Sequence, residues 1–249
     1  LSNLPDEGYP VPKPGKHRQH IAGRSAWVCL KDRIPLSALI ILNKINQQFP
    51  QCRYICSFHF RSSISKSYFT TSIVATPSIR IAKEAGALIS FDPNLRPPLW
   101  ETLEDARAQV IYGLGQCDIL KISDNEIQWL SGKEDFTEGV EWVNESFQIP
   151  LILVSMGRAG SRAYYKGKMV EVEPFLQENT IEATGAGDTF CGCVLHYILE
   201  HGLEELTKAD LVEMLTFANS AASLIITRKG ALRVMPSKEE VFRNMCSQK

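Results

Sequence analysis

The chain contains the stretch ALISFDPN at residues 87–94, a short apolar run that ends in polar residues and a proline. Such a run predicts a buried strand over 87–91. Similar apolar runs follow at 118–122 and 150–155, and helical patterns alternate with them. Strands that alternate with helices predict right-handed crossovers and a mostly parallel sheet covered on both faces. The sequence therefore predicts an α/β protein.

The other elements follow from helical periodicity and from turn residues. Helices are predicted over 79–85, 99–114, 123–130, 136–146, 186–200 and 208–226, and a hairpin is predicted over 161–173 with its turn at Lys166-Gly167. In an open parallel sheet, ligands bind beyond the carboxyl ends of the strands. Residues that directly follow the predicted strands are therefore the first candidates for a site.

The first part of the chain lacks this regularity. Residues 1–25 are rich in proline, glycine, lysine and histidine, while a short helix over 34–49 and a strand over 54–60 are predicted further on. We divide the chain into an atypical, poorly patterned segment at 1–78 and a regular domain at 79–249. Residues 1–70 carry a net charge of +7, but their basic residues are scattered, which argues against a nucleic-acid-binding arm.

Composition excludes several classes of protein. No apolar run approaches the ~20 residues that a membrane span needs, and the first residues do not resemble a signal peptide. The chain has 7 cysteines but no CxxC pair and no zinc-ligand spacing, so we expect reduced and mostly buried thiols, as in a cytoplasmic protein. The five histidines show no ligand spacing either, and His196, on an apolar helical pattern, is expected in the core.

Three loops that follow predicted strands carry polar residues or glycines. The stretch DPNLRPPLW at 92–100 is stiffened by three prolines and holds Asn94 and Arg96, whose guanidinium can bind a phosphate or pair with a carboxylate. In KISDNE at 121–126, Ser123 and Glu126 form a capping-box pattern, and Glu126 could equally hold Mg²⁺ through water. SMGRAGS at 155–161 is either a plain strand-to-strand turn or a turn that passes over a nucleotide.

The stretch TGAGDTF at 184–190 opens the predicted helix 186–200. The first N–H groups of a helix lack intrahelical partners and bind anions, and glycine lets a phosphate approach the backbone closely. Asp188 stands where an acceptor hydroxyl would have to lie. The stretch therefore suits phosphoryl transfer with a general base, the alternative being a helix start with small residues for packing.

Together these motifs, with 217–236, resemble the ribokinase-like (PfkB) family of sugar kinases, and DPNLRPPLW with KIS-x-x-E looks most like fructokinases. The resemblance covers about 79–245. It implies a Rossmann-like fold of three α/β/α layers and ATP-dependent phosphorylation of a sugar, most simply D-fructose to fructose 6-phosphate. It also implies ATP and Mg²⁺ as cofactors, K⁺ as a further candidate, a cytoplasmic location, and small-molecule substrates with a homodimer as the assembly.

The resemblance also assigns roles to residues of this chain. Asp188 would be the base that takes the proton of the sugar hydroxyl, and the N–H groups of Gly185, Ala186 and Gly187 would form the anion hole. Glu126 would organise Mg²⁺, while Arg96 and Asn94 would serve phosphate or acceptor. The residues expected around the nucleotide are Lys121, Ser123, Ser155, Gly157, Gly160, Thr184, Asn219 and Gly230.

Two departures from the family pattern leave alternatives open. Glu182-Ala183 replaces the usual Asp-Thr, which puts activation by a monovalent cation in doubt. Residues 1–50 match neither the sugar-binding motifs nor the lid strands of the family, so the lid strands are expected to be absent. The alternatives are a truncated, non-catalytic nucleotide-binding remnant, or a kinase for another sugar such as 2-dehydro-3-deoxygluconate.

Overall fold

A computed structural model describes residues 41–42, 55–59, 79–80, 82–84, 86–230 and 232–247, with backbone only for 41–42 and 55–59. These residues contain one sheet of seven strands that lie side by side in chain order. The strands are β1 Ile41–Leu42, β2 Ile55–His59, β3 Leu88–Asp92, β4 Ile119–Ser123, β5 Leu151–Ser155, β6 Ser161–Tyr165 and β7 Lys168–Val172. Strands β2 to β5 are parallel, whereas β1, β6 and β7 each run antiparallel to a neighbour.

The described residues form six α-helices, and a further helical segment at 79–80 and 82–84 precedes Gly86. They are α1 Leu103–Leu114, α2 Asp124–Ser131, α3 Phe136–Phe147, α4 Ala186–His201, α5 Lys208–Ile225 and α6 Lys238–Ser247. Side-chain caps explain several starts: the Thr102 hydroxyl accepts from the Asp105 N–H, and the Thr207 hydroxyl accepts from the Asp210 N–H. The predicted helix 99–114 begins later because residues 97–99 form a separate 3-10 turn before that cap.

The sheet separates two apolar cores. Along each strand, alternate side chains point to opposite faces. On one face Phe91, Leu120 and Ile152 pack with residues of α1, α2 and α3. On the other face Ile119, Leu151 and Leu153 pack with residues of α4 and α5. The predicted α/β class with a mostly parallel sheet is confirmed, and the layers are helix, sheet and helix.

Some predictions were wrong or lie outside the described residues. The predicted helix at 34–49 is wrong at Ile41–Leu42, which form strand β1; the rest of that range is not described. The predicted strand at 54–60 matches β2. Residues 1–40 and 60–78, and with them the expected absence of lid strands and the 1–78 boundary, lie outside the described residues.

The structure corrects the expectation for His196. Its side chain is exposed and its Nε2 lies 3.4 Å from Glu200 Oε1, because position 196 falls on the outer side of α4. Of the described free cysteines, Cys117 and Cys191 are buried, Cys193 is half-buried and Cys246 is exposed. In the part of the chain that the structure describes, no helix is long and apolar enough to cross a membrane.

Candidate phosphate site

The carboxyl ends of β3, β4 and β5 place three of the predicted motifs at one edge of the sheet. Asp92, Ser123 and Ser155 are the last residues of these strands, and Ser123 pairs directly with Ser155 in the sheet register. Parallel strands bring their carboxyl ends together. The loops after Asp92, Ser123 and Ser155 therefore converge, as the sequence predicts.

A buried ion pair lies next to this edge. Lys121 Nζ lies 3.2 Å from Asp92 Oδ2 and 3.3 Å from Asp92 Oδ1, and the two side chains are only 8% and 1% exposed. Burial alone lowers the pKa of Lys121, but the negative charges of Asp92 and Glu126 outweigh burial, so the pKa is raised above its ordinary value. The ammonium therefore stays protonated at neutral pH.

The same ammonium lies beside the start of α4. A Cβ added to Gly187 would stand 3.2 Å from Lys121 Nζ, so glycine at this position leaves room for the lysine. Gly185 precedes the helix with φ +86°, a left-handed conformation that favours glycine, and no side chain caps this helix. The structure thus brings Lys121 next to Gly187, which is one residue of the predicted anion hole.

One of the backbone N–H groups at the start of α4 already has an acceptor within the protein. The Ala186 N–H donates to the Ala183 carbonyl at 3.3 Å, a long bond that closes the turn before the helix. Asp188 lies in the first turn of α4 with an exposed side chain, next to the buried Thr189. An exposed carboxylate beside a helix N-terminus is accessible to an acceptor hydroxyl.

Glu126 makes the capping box that its spacing with Ser123 predicts. Its Oε2 accepts from the Ser123 N–H at 2.9 Å and from the Ser123 hydroxyl at 2.8 Å. Its Oε1 accepts from the Leu95 N–H at 2.6 Å, which ties the DPN loop to the start of α2. Both oxygens already bind protein donors, so a metal role for Glu126 would act through water, and it stays a prediction. No group of three or more His, Cys, Asp or Glu residues that could hold a metal occurs among the described residues.

The turn after β5 joins two strands, and its predicted position over a nucleotide stays a prediction. Gly157–Ala159 form a 3-10 turn that leads into β6, and the Met156 N–H donates to the Gly160 carbonyl at 2.9 Å. Gly160 has φ +90°, and a Cβ there would lie within 2.2 Å of the Val172 carbonyl oxygen. Gly160 is therefore required by packing against β7, while Gly157 is exposed at the edge of the site.

Asn219 is bonded inside the protein. Its Oδ1 accepts from the Ser161 hydroxyl at 2.9 Å, and its Nδ2 donates to the carbonyls of Val172 and Glu173 at 3.2 and 3.1 Å. The side chain is buried and joins α5 to the β6–β7 hairpin. These bonds give Asn219 a structural role, and its predicted contact with a nucleotide stays a prediction.

The segment before α4 is tied to the turn after α5. The Glu182 carboxylate accepts from the Gly230 N–H at 3.2 Å, and the Ile181 N–H donates to the Ile226 carbonyl at 2.8 Å. Hydrogen bonds from Thr184 and from the Gly230 N–H, together with the charge of Lys229, hold the pKa of Glu182 below its ordinary value. Thr184 and Gly230, both predicted around the nucleotide, therefore meet through Glu182.

Arg96 and Asn94 lie in the loop after β3. Asn94 has φ +43°, a conformation that asparagine tolerates better than most residues, and Arg96 is exposed before the 3-10 turn 97–99. No described bond joins the Arg96 guanidinium to this site, so its role stays a prediction.

Sequence reasoning missed Asp92 as the partner of Lys121. A signal existed, because Ser90 and Asp92, the third and last residues of the otherwise apolar β3, break the pattern of a buried strand. The identity of their partner required the register between β3 and β4, which pairs Ser90 with Ile119 and Phe91 with Leu120.

Comparison with known proteins gives a consistent result. Residues 64–238 match the model of the pfkB family carbohydrate kinases. The chain is 34% identical over 188 residues to probable fructokinase-4 of Arabidopsis thaliana, covering 73% of this chain and 57% of that protein. It is 32% identical to fructokinase of Klebsiella pneumoniae, covering 78% of this chain and 61% of that protein.

Solved structures agree with these relatives. A fructokinase double mutant from Vibrio cholerae O395 with fructose, ADP and potassium ion bound superposes with a TM-score of 0.65 at 29% identity, covering 72% of this chain and 56% of that one. Fructokinase from Xylella fastidiosa with bound ATP gives a TM-score of 0.64 at 26% identity, covering 72% and 58%. This chain spans about three-fifths of the length of these relatives.

Proposed function

Because this chain belongs to the pfkB family of carbohydrate kinases, we propose that it transfers a phosphoryl group from ATP to a sugar hydroxyl. D-fructose is the acceptor that we expect, and fructose 6-phosphate the product, since the relatives reported above are fructokinases. The cytoplasmic location and the homodimer that the resemblance implies belong to the same proposal.

One observation carries the proposal: the start of α4 combines an uncapped helix N-terminus with an exposed carboxylate. The N–H groups of Gly185 and Gly187 would face the transferring phosphoryl group, and the Ala186 N–H would join them by leaving its long bond to the Ala183 carbonyl. Phosphoryl transfer gains most from such positioning and charge stabilisation. Asp188 would accept the proton that leaves the sugar hydroxyl as the new O–P bond forms, while the bond from the γ-phosphorus to the leaving ADP oxygen breaks.

The supporting residues divide by their place at the edge of the sheet. Ser123, Ser155, Gly157, Thr184 and Gly230 would border the nucleotide, and Arg96 with Asn94 would lie toward the phosphate or the acceptor. Mg²⁺ fits the site only through water on Glu126, whose two oxygens are hydrogen-bonded, and when bound it would neutralise phosphate charge.

Potassium ion is a further candidate cofactor in this proposal. The Vibrio cholerae enzyme was crystallised with potassium ion, but here Glu182 bonds directly to the Gly230 N–H. We expect phosphoryl transfer to the sugar to respond weakly to exchange of K⁺ for choline, since the Glu182 carboxylate already joins these two segments.

A coupled assay of ADP release over a panel of sugars tests the function. We expect release that depends on fructose, and we expect Asp188→Asn to lower kcat at least about a hundredfold while ATP affinity stays nearly constant. Glu138→Gln is the matched control, because it removes an exposed acid from the first turn of another helix.

Three outcomes contradict parts of this proposal. ATP binding without release on any sugar would favour the non-catalytic remnant. Release with 2-dehydro-3-deoxygluconate but not fructose would change the acceptor. Loss of less than about tenfold in Asp188→Asn would remove the assignment of Asp188 as base.

A further inference from the structure

A polar cluster lies on the α4 side of the sheet, where the rest of that face is apolar. On β3 and β4 this face carries Ser90, Asp92 and Lys121, all buried, whereas Ile119 and Leu153 on the same face belong to the apolar core. The polar residues are confined to the carboxyl-end half of the strands, directly beneath the first turns of α4.

The near side of α4 matches this cluster with small residues. Gly187 and Cys191 are four positions apart and therefore lie on the same side of the helix. Gly187 leaves space for Lys121 Nζ, as its missing Cβ would be 3.2 Å away. Cys191 is buried among Asp92, Lys121 and Ser90, and burial is the main reason that its pKa is raised to about 12, so the thiol adds no charge.

A buried ion pair such as Lys121–Asp92 is by itself weak evidence of a gain in stability. Removing two charges from water costs more than their attraction returns unless the geometry is favourable, and buried pairs replaced by apolar residues are often as stable or more so. The buried ammonium of Lys121 stays charged because it lies close to both oxygens of the Asp92 carboxylate. A role at the neighbouring turn of α4 is therefore an alternative to stabilisation of the fold.

We propose that Lys121 is a positioning residue that acts through Gly187: its buried ammonium, held by Asp92, adds fixed positive charge beneath the N–H groups of the α4 turn and so strengthens their hold on the terminal phosphoryl group of ATP. This rests on the proposed function. Asp92 is a second positioning residue, since its carboxylate keeps the ammonium under the turn rather than in solvent. Because Asp92 carries the opposite charge, the field at the turn is that of the ion pair, whose positive end lies beside Gly187, and a low dielectric strengthens this field.

Binding measurements on the whole chain test the proposal without requiring turnover. Affinity for ATP and for AMP is measured by calorimetry for the wild type, Lys121→Met, Asp92→Asn and the double variant, with urea unfolding of each. Lys133→Met is the matched control, since Lys133 also pairs with an acid, at 4.0 Å, but is exposed.

We expect Lys121→Met to weaken ATP binding about tenfold to about a hundredfold and to leave AMP affinity unchanged. This effect is no larger than that of removing a hydrogen-bond donor that contacts the oxyanion directly. The double variant should unfold at a higher urea concentration than Lys121→Met, since no buried carboxylate is left unpaired, yet its ATP affinity should stay low. Lys133→Met should change neither affinity.

The results that overturn the proposal differ from those that overturn the function. Equal loss of ATP and AMP affinity in Lys121→Met, or recovery of ATP affinity in the double variant, would reduce the pair to a structural role. Unchanged ATP affinity in Lys121→Met would also refute it. Failure of the wild type to bind ATP would refute the kinase proposal first and this inference with it.

Discussion

The substitution Gly160→Ala tests how the turn after β5 is held against β7. A Cβ at this residue would lie 2.2 Å from the Val172 carbonyl oxygen and 3.1 Å from Pro174 N, and these are backbone atoms that cannot rotate away. The residue also has φ +90° and ψ −139°, which only glycine adopts without strain. Backbone strain and overpacking each cost about 1–3 kcal/mol, so we expect a loss of about 4 kcal/mol in the free energy of unfolding.

Gly157→Ala in the same turn is the matched control. Its φ is +56°, but no atom lies within 4 Å of an added Cβ, so only the left-handed backbone is penalised, by about 1 kcal/mol. The assay is urea unfolding followed by circular dichroism. With a slope of about 3 kcal/mol per molar urea, the midpoint of Gly160→Ala should lie about 1 M below that of Gly157→Ala. Equal midpoints would refute the argument that the Val172 carbonyl fixes this turn.

Two further predictions concern helix α5, which contains both Asn219 and Asp210. Asn219→Leu leaves the Ser161 hydroxyl without its acceptor and should lower the free energy of unfolding by about 2–4 kcal/mol, whereas adding Ser161→Ala should recover part of it; additive losses would contradict the bond. Bonds from the Thr207 hydroxyl and N–H hold the pKa of Asp210 below its ordinary 3.8, so its contribution to stability is present above that pH and lost as the pH falls through the lowered value. The stability gap between wild type and Asp210→Ala should therefore close in acid, and a gap that is constant from pH 7 to pH ~2 would refute it.

Local patterns determined most of the regular domain. The predicted strands at 87–91 and 118–122 lie one residue before the observed β3 and β4, because Asp92 and Ser123 extend the strands into residues that the pattern assigns to loops. Helix α2 was predicted closely, since Ser123 and Gly132 mark its two ends by purely local bonds. Bonds between residues that are close in the chain can therefore be predicted from the sequence.

Contacts between distant residues were not predictable in this way. The bond between Ser161 and Asn219 joins residues 58 apart, and the Lys121–Asp92 pair joins residues 29 apart. Helical periodicity assigned His196 to the core, but the apolar pattern of α4 is broad enough to leave its outer side ambiguous. The motifs at the sheet edge were predicted one by one; which side chains meet there depends on strand register.

Two separate parts of the sequence cover the two faces of the sheet, and their order matters while the chain is being synthesised. Helices α1 to α3 cover one face and are encoded between the strands, whereas α4 and α5, which cover the other, follow β7 in the chain. During synthesis, chains emerge and fold from the amino-terminal side. A nascent chain that ends after β7 thus presents Leu151, Leu153 and Ala163 bare to solvent until α4 and α5 have followed.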